Sequence, residues 1–348
     1  MTELGRRQFL TAAGALLAAP HISRARTSTK KPVLGFLSPG PKVATESLQK
    51  WGFFVRLREL GWVEGKTLRV EYAFADWKMN RLPELAATLL SQKVDVIWAA
   101  SPWAAVAAVK ATSTVPIVFW RVGFPDRLGI VDSLAHPGRN VTGLAWVSDG
   151  SVYVKRYELL KELAPNSARV ATLGTATTFR NISGNVVDMS WLIETVNAAI
   201  RDLGFEGKVF PVRKRADFDS AFAAIEHWNA DSMVVPDVPL TIGVRRQIVD
   251  FARRHKLIDV YMTDEWAEAG GLMSYGIVLE PTLLRTAEMV DRILRGARPE
   301  DMPVELPSEY EIVVNLAAAK MQGFAVPHSF LLRADRVIER PLPASADA

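Results

Sequence analysis

Short runs of β-branched and aromatic residues alternate with amphipathic stretches along most of the chain, and this beat occurs in two successive series. In the first series, 33–38, 67–74, 94–99, 115–120 and 140–147 read as strands. Between them, 45–60, 81–92 and 103–112 carry apolar residues at helical three- and four-residue steps, with Asn80 as the cap of the second. The second series has strands at 169–173, 208–212, 232–236 and 259–262, with helices at 191–203, 218–228 and 242–255. Strands separated by helices imply βαβ units and a parallel sheet covered on both faces. The expected fold class is therefore α/β, with the same architecture built twice. The repeating unit is a whole lobe, which excludes a solenoid of 20–50-residue motifs.

The tail departs from this beat: a strand at 270–275, a helix at 281–295 and an extended run at 306–315. If it crosses back to the first lobe and then returns to the second, it makes a multi-strand hinge. The expected division is lobe one at 32–145 plus 270–303 and lobe two at 146–269 plus 304–335. The Pro-Ala-Ser-Asp composition of 340–348 predicts a disordered tail.

At 348 residues each lobe is long enough to bury its own core. Apolar residues at 49% and charged residues at 23% describe a water-soluble globular protein. A net charge of +4, with basic residues in short runs such as Lys30-Lys31 and 213–215, lacks the clustered cations of a nucleic-acid footprint. There is no cysteine, so thiolate metal sites, disulfides and cysteine nucleophiles are excluded.

Residues 1–25 read as a secretory signal. Arg6-Arg7 precede an apolar run over 9–20, and Ser23-Arg24-Ala25 supplies small residues for a cut. The paired arginines followed by Phe9-Leu10 resemble a twin-arginine signal, with Gly5 and Thr11 departing from its usual Ser and Lys. The run is too short to span a bilayer. The expected location is the periplasm.

Catalytic apparatus is sparse. Gly61-Trp62-Val63-Glu64-Gly65-Lys66-Thr67 has three residues between its glycines where a phosphate loop needs four, and it precedes a strand; it reads as a turn with Gly61 as a left-handed cap. No GxGxxG follows the first strand and no GxSxG elbow occurs. The histidines, His21, His136, His227, His255 and His328, are scattered without metal-ligand spacing. Neither a cofactor nor a metal is expected.

Ligands of open α/β sheets bind beyond the carboxyl ends of the strands. In lobe one those ends present Ser38, Ser101-Pro102-Trp103 and Trp120-Arg121; in lobe two, Thr175, Asp237 and Asp264-Glu265, with Trp146 at the crossover. Arg121 suits a ligand carboxylate, Asp237 or Asp264 a cation, and the tryptophans a flat ring. The bland alternatives are a core role for Trp120 and a surface pair between Arg121 and Asp126.

The stretch Leu57-Arg58-Glu59-Leu60-Gly61-Trp62-Val63-Glu64-Gly65-Lys66 resembles a signature of ABC-transporter substrate-binding proteins with the type I periplasmic-binding fold. So do 81–86, 94–97, 115–119, the run Ser133-Leu134-Ala135-His136-Pro137-Gly138-Arg139-Asn140-Val141-Thr142-Gly143, residues 268–276 and the tail 307–332. The resemblance spans nearly all of 32–339. It implies two Rossmann-like lobes joined by hinge strands, a ligand clamped between them, and no enzymatic activity. The group includes aromatic amino acid receptors. Where the family usually reads Gly-Asp-Pro, this chain has Gly123-Phe124-Pro125, so Phe124 joins the candidate ligand contacts and makes the pocket more apolar. The expected ligand is a small, aromatic or flat organic solute bearing a carboxylate; the expected partner is an ABC permease, with the protein a monomer. A sensor of the same fold and a periplasmic hydrolase or lyase are the alternatives.

Overall fold

A computed structural model describes residues 31–175 and 180–339; the signal segment 1–25 and the tail 340–348 lie outside them. The described residues from Pro32 to Glu339 form one compact unit. The first sheet contains β1 (Val33–Ser38), β2 (Arg69–Phe74), β3 (Val96–Ala99), β4 (Ile117–Val122) and β5 (Val141–Ala145), in the order β2-β1-β3-β4-β5. All its pairings are parallel. Because both faces are covered, the strands are apolar nearly throughout rather than alternating. On β1, Val33 and Leu37 enter one core while Leu34 and Phe36 enter the core on the opposite face.

The second sheet has seven strands: β6 (Arg169–Thr175), β7 (Glu206–Val212), β8 (Ser232–Val234), β9 (Ile258–Tyr261), β10 (Met273–Ile277), β11 (Tyr310–Asn315) and β12 (Arg336–Ile338). Their order is β12-β11-β10-β9-β8-β6-β7. Read from β7, the first five repeat the strand order of the first sheet. Only the β10–β11 pair is antiparallel. The helices of eight residues or more are α1 (Gly52–Glu59), α2 (Leu82–Ser91), α3 (Pro102–Ala111), α4 (Ser151–Leu163), α5 (Ser190–Asp202), α6 (Phe218–His227), α7 (Arg245–Arg254) and α8 (Leu279–Leu294).

The strands divide between two separate sheets, which the tail links. Residues 270–303 do not belong to lobe one as a block: β10 pairs with β9 and β11 inside the second sheet. Only then does α8 return to the first lobe, where Leu283, Ala287 and Val290 pack beneath Trp98 and Trp120. Glu305 bridges to Leu144 before the chain rejoins the second sheet at β11. The chain thus passes between the sheets three times, near 146–150, 278 and 305–309, which makes the hinge.

Three local expectations also change. The helix expected over 45–60 breaks at 49–51 into a single turn, Thr45–Leu48, and α1. Asn80 sits within a 3-10 turn, Met79–Arg81, and makes no cap bond. Helix α4 follows the first crossing and is absent from the expected elements, although Val152, Arg156, Leu159-Leu160 and Leu163 carry helical spacing. Gly61 does turn left-handed (φ +95°), with the Thr67 hydroxyl donating to its carbonyl at 2.5 Å.

Behind β9 lies a buried carboxyl. Asp259 accepts from Gln322 Nε2 at 2.8 Å and from the Leu272 amide at 3.2 Å. Burial pushes its pKa up to about 6 from 3.8. Because the folded value lies above the unfolded one, the stability tied to the proton is fully present below about pH 4 and is lost as pH rises through 6. Asp259→Asn removes that loss. Gln322 Oε1 has no hydrogen-bond partner, so a flipped Gln322 can accept from the new amide. The variant is expected to be more stable than the natural protein at pH 7.5, by up to about 3 kcal/mol, with the gap closing near pH 4. Urea titrations across that range measure it; a gap independent of pH would refute it.

Candidate ligand-binding cleft

The carboxyl ends of both sheets face one cavity of about 780 Å³. Each wall follows from local backbone chemistry. At the end of β3, Ser101 accepts the Ala104 amide at 3.1 Å and Pro102 opens α3, so the Ser101 hydroxyl caps the helix. Ser38 accepts the Gly40 amide at 3.2 Å in the turn after β1. Pro102 and Trp103 complete this wall.

Trp120, on β4, belongs to the core and also borders the cavity. Its indole stacks on Trp98 at 5.4 Å and donates to Thr282 Oγ1 at 2.9 Å, so it is core, and its edge lines the cavity. The β4–β5 register then slips between Trp120 and Val122, and Arg121 takes φ +61°, rare for a side chain of its size. That kink lifts the guanidinium off the strand. It lies over the Trp146 ring at 4.5 Å and the Trp120 ring at 5.2 Å.

From there Arg121 reaches the other lobe. Its Nη2 meets Asp237 Oδ2 at 2.6 Å, beyond the end of β8, and Nη1 lies 3.9 Å from Glu265. The alternative surface pair with Asp126 is not formed. Glu265 itself is held by Arg245 at 2.9 Å. The Asp237 side chain is 0% exposed, and its Oδ1 has no hydrogen-bond partner.

A further buried guanidinium lies on the wall, on a helix rather than at a strand end. Arg156, on α4, lines the cavity and is 2% exposed. Its Nε donates to the Tyr275 carbonyl at 2.9 Å, while Nη2 has no partner. Burial lowers its pKa, and the nearby Tyr153 and Asp237 oppose that shift. Burial likewise raises Tyr153 and Tyr157, which line the same wall.

Phe124, also at positive φ (+53°), packs edge-on against Trp191 of α5 at 5.4 Å, joining the lobes beside the cavity. It shares a small core with Trp146, Met262 and Ile277. At the mouth, Asp76 and Trp77 are both left-handed (φ +53° and +57°). A Cβ on Gly40 or on Gly243 would touch the Trp77 ring at 3.7 and 3.5 Å, so glycines from both lobes seat that indole.

Asp264 is not part of the cleft. It pairs with Arg336 at 2.6 Å on the far strand, β12, because it is the first residue of a short helix whose next residue, Glu265, turns inward. The Thr175 side chain lies outside the described residues. Among the described residues no group of three or more acidic or histidine side chains could hold a metal, and no helix is long and apolar enough to cross a membrane.

The family model for ABC transporter substrate binding proteins matches residues 44–338. A tyrosine-binding protein of Clostridioides difficile is 24% identical over 289 residues, 82% of this chain and 80% of that protein. Among solved structures, a conserved domain protein of Vibrio cholerae has a TM-score of 0.78 at 25% identity, over 88% of this chain and all of that one. An ABC domain from Streptococcus pneumonia in complex with L-Trp has a TM-score of 0.77 at 22% identity, over 89% of this chain and all of that one. A ligand-free, open substrate binding protein of Clostridium difficile superposes with a TM-score of 0.62 at 23% identity, over 89% and 100%.

Proposed function

Since this chain belongs to the family of ABC transporter substrate-binding proteins, which are binders and not enzymes, we propose that it is the receptor of an importer for an aromatic amino acid or a compound built on one. The observation that carries this reading is a pair of buried, opposite and half-satisfied charges on one cavity. Asp237 Oδ1 and Arg156 Nη2 each lack a partner. A buried charge with an empty hydrogen-bonding position is costly, and a ligand that fills it recovers that cost. An ammonium on Asp237 and a carboxylate on Arg156 describe a zwitterion. Trp103, Trp120 and Trp146 give the cavity an aromatic wall for its ring.

Arg121 has a different part from the one its position suggested: it holds Asp237 across the lobe boundary and so favours the closed arrangement. A ligand that contacts both lobes shifts the population toward closure, which a permease can read. The tyrosine-binding relative and the L-Trp complex support the same ligand class. Residues 1–25 are proposed to deliver the protein to the periplasm through a twin-arginine route, where it acts as a monomer.

Calorimetric titration with L-tryptophan, L-tyrosine and their singly charged analogues tests this. Tryptophanol lacks the carboxylate and indole-3-propionate lacks the amine. Each is expected to bind on the order of 100-fold more weakly than tryptophan, because each leaves one buried charge unmet. Binding of sugars or inorganic anions alone would sink the proposal.

A further inference from the structure

One side of the cavity, an arm lined by the second lobe, has a different character. Helix α5 turns Leu192, Val196 and Ile200 toward it at four-residue spacing, and β7 adds Val209 and Pro211 from the opposite side. Asn197, on the same helix, brings an amide into this aliphatic arm. The first-lobe arm, by contrast, is walled by Trp103, Trp120 and Trp146.

A cavity of about 780 Å³ lies in the upper part of the range of roughly 300–1,000 Å³ that holds drug-sized molecules. This size is not the result of parted lobes. The Ile182 amide of the second series donates to the Leu128 carbonyl of the first at 3.1 Å, and Arg121 reaches Asp237 at 2.6 Å. A single aromatic amino acid would use the tryptophan arm and the charges, and would leave the aliphatic arm unfilled.

We infer that the preferred ligand is a hydrophobic dipeptide with one aromatic and one aliphatic side chain, whose free termini engage Asp237 and Arg156. The inference rests on the zwitterion reading above and extends it. The aromatic side chain lies among the tryptophans and the aliphatic one against α5 and β7. Asn197 offers one donor and one acceptor, the pair that a peptide unit requires.

The test compares L-tryptophan with the dipeptides Trp-Leu and Leu-Trp, each also with one terminus blocked, by calorimetry on the mature protein. At least one dipeptide is expected to bind 10-fold or more tighter than tryptophan, and blocking either terminus to lose 10-fold or more. Two filling variants, Leu192→Trp and Val209→Trp, are expected to weaken the dipeptide at least 10-fold while leaving tryptophan within about threefold. Retained tryptophan binding reports that each variant is folded. Tryptophan binding at full strength with no gain for either dipeptide overturns this inference and leaves the zwitterion reading standing. Filling variants that weaken both ligands alike also overturn it. Failure of every ligand overturns both readings.

Discussion

Arg156→Met is expected to raise the Kd for an aromatic amino acid by about 100-fold while leaving the melting temperature unchanged or higher. The loss follows from a charge-assisted bond between guanidinium and carboxylate in a site closed to water, worth about 1.5–3 kcal/mol. The stability gain has the same origin. Arg156 is 2% exposed, its Nη2 has no partner, and burial pulls its pKa down. Methionine has similar reach and no charge to desolvate, and replacing a buried ion by an apolar side chain is often neutral or stabilising. Opposite signs for affinity and stability separate a ligand contact from a structural arginine. A variant that melts lower and binds normally would assign Arg156 to the Tyr275 carbonyl alone.

The largest stability loss is expected at Gly276. A Cβ there would sit 1.7 Å from the Met262 carbonyl oxygen, a backbone atom that cannot rotate aside. Gly276→Ala therefore has to separate β10 from the segment after β9, at a cost of about 3 kcal/mol or more. The damage would reach the cleft, since the Asp237 amide donates to Met262 Sδ at 3.0 Å. Gly61→Ala is the contrasting case: φ is +95° but the space around it is open, so about 1 kcal/mol is lost through backbone strain alone. Urea denaturation of the two variants discriminates between these magnitudes, and equal losses would show that contact with Met262 does not matter.

Among the candidate ligand contacts, the strand ends were legible because an open α/β sheet dictates where ligands meet it. Ser38, Ser101, Trp120, Arg121, Asp237 and Glu265 all reach the cavity for that reason. Asp264 does not, because adjacent residues at a helix start point in different directions and pattern alone cannot say which turns inward. Arg156 lay inside a helix after the crossing, the one place where the strand-end rule offers no help. Its neighbours Val152, Leu159 and Leu163 carried the helical spacing that would have revealed α4, although not the wall it faces.

Local chemistry determined the elements and the repeated beat, since apolar period and turn residues act over only a few positions. It also determined the absence of thiol chemistry, since the sequence has no cysteine. Tertiary structure decided what each charge does. Arg121 and Asp237 are 116 residues apart, and only folding brings them to 2.6 Å. That contact uses Asp237 Oδ2 and leaves Asp237 Oδ1, like Arg156 Nη2, without a partner on the cavity wall, because burial removes water as the alternative.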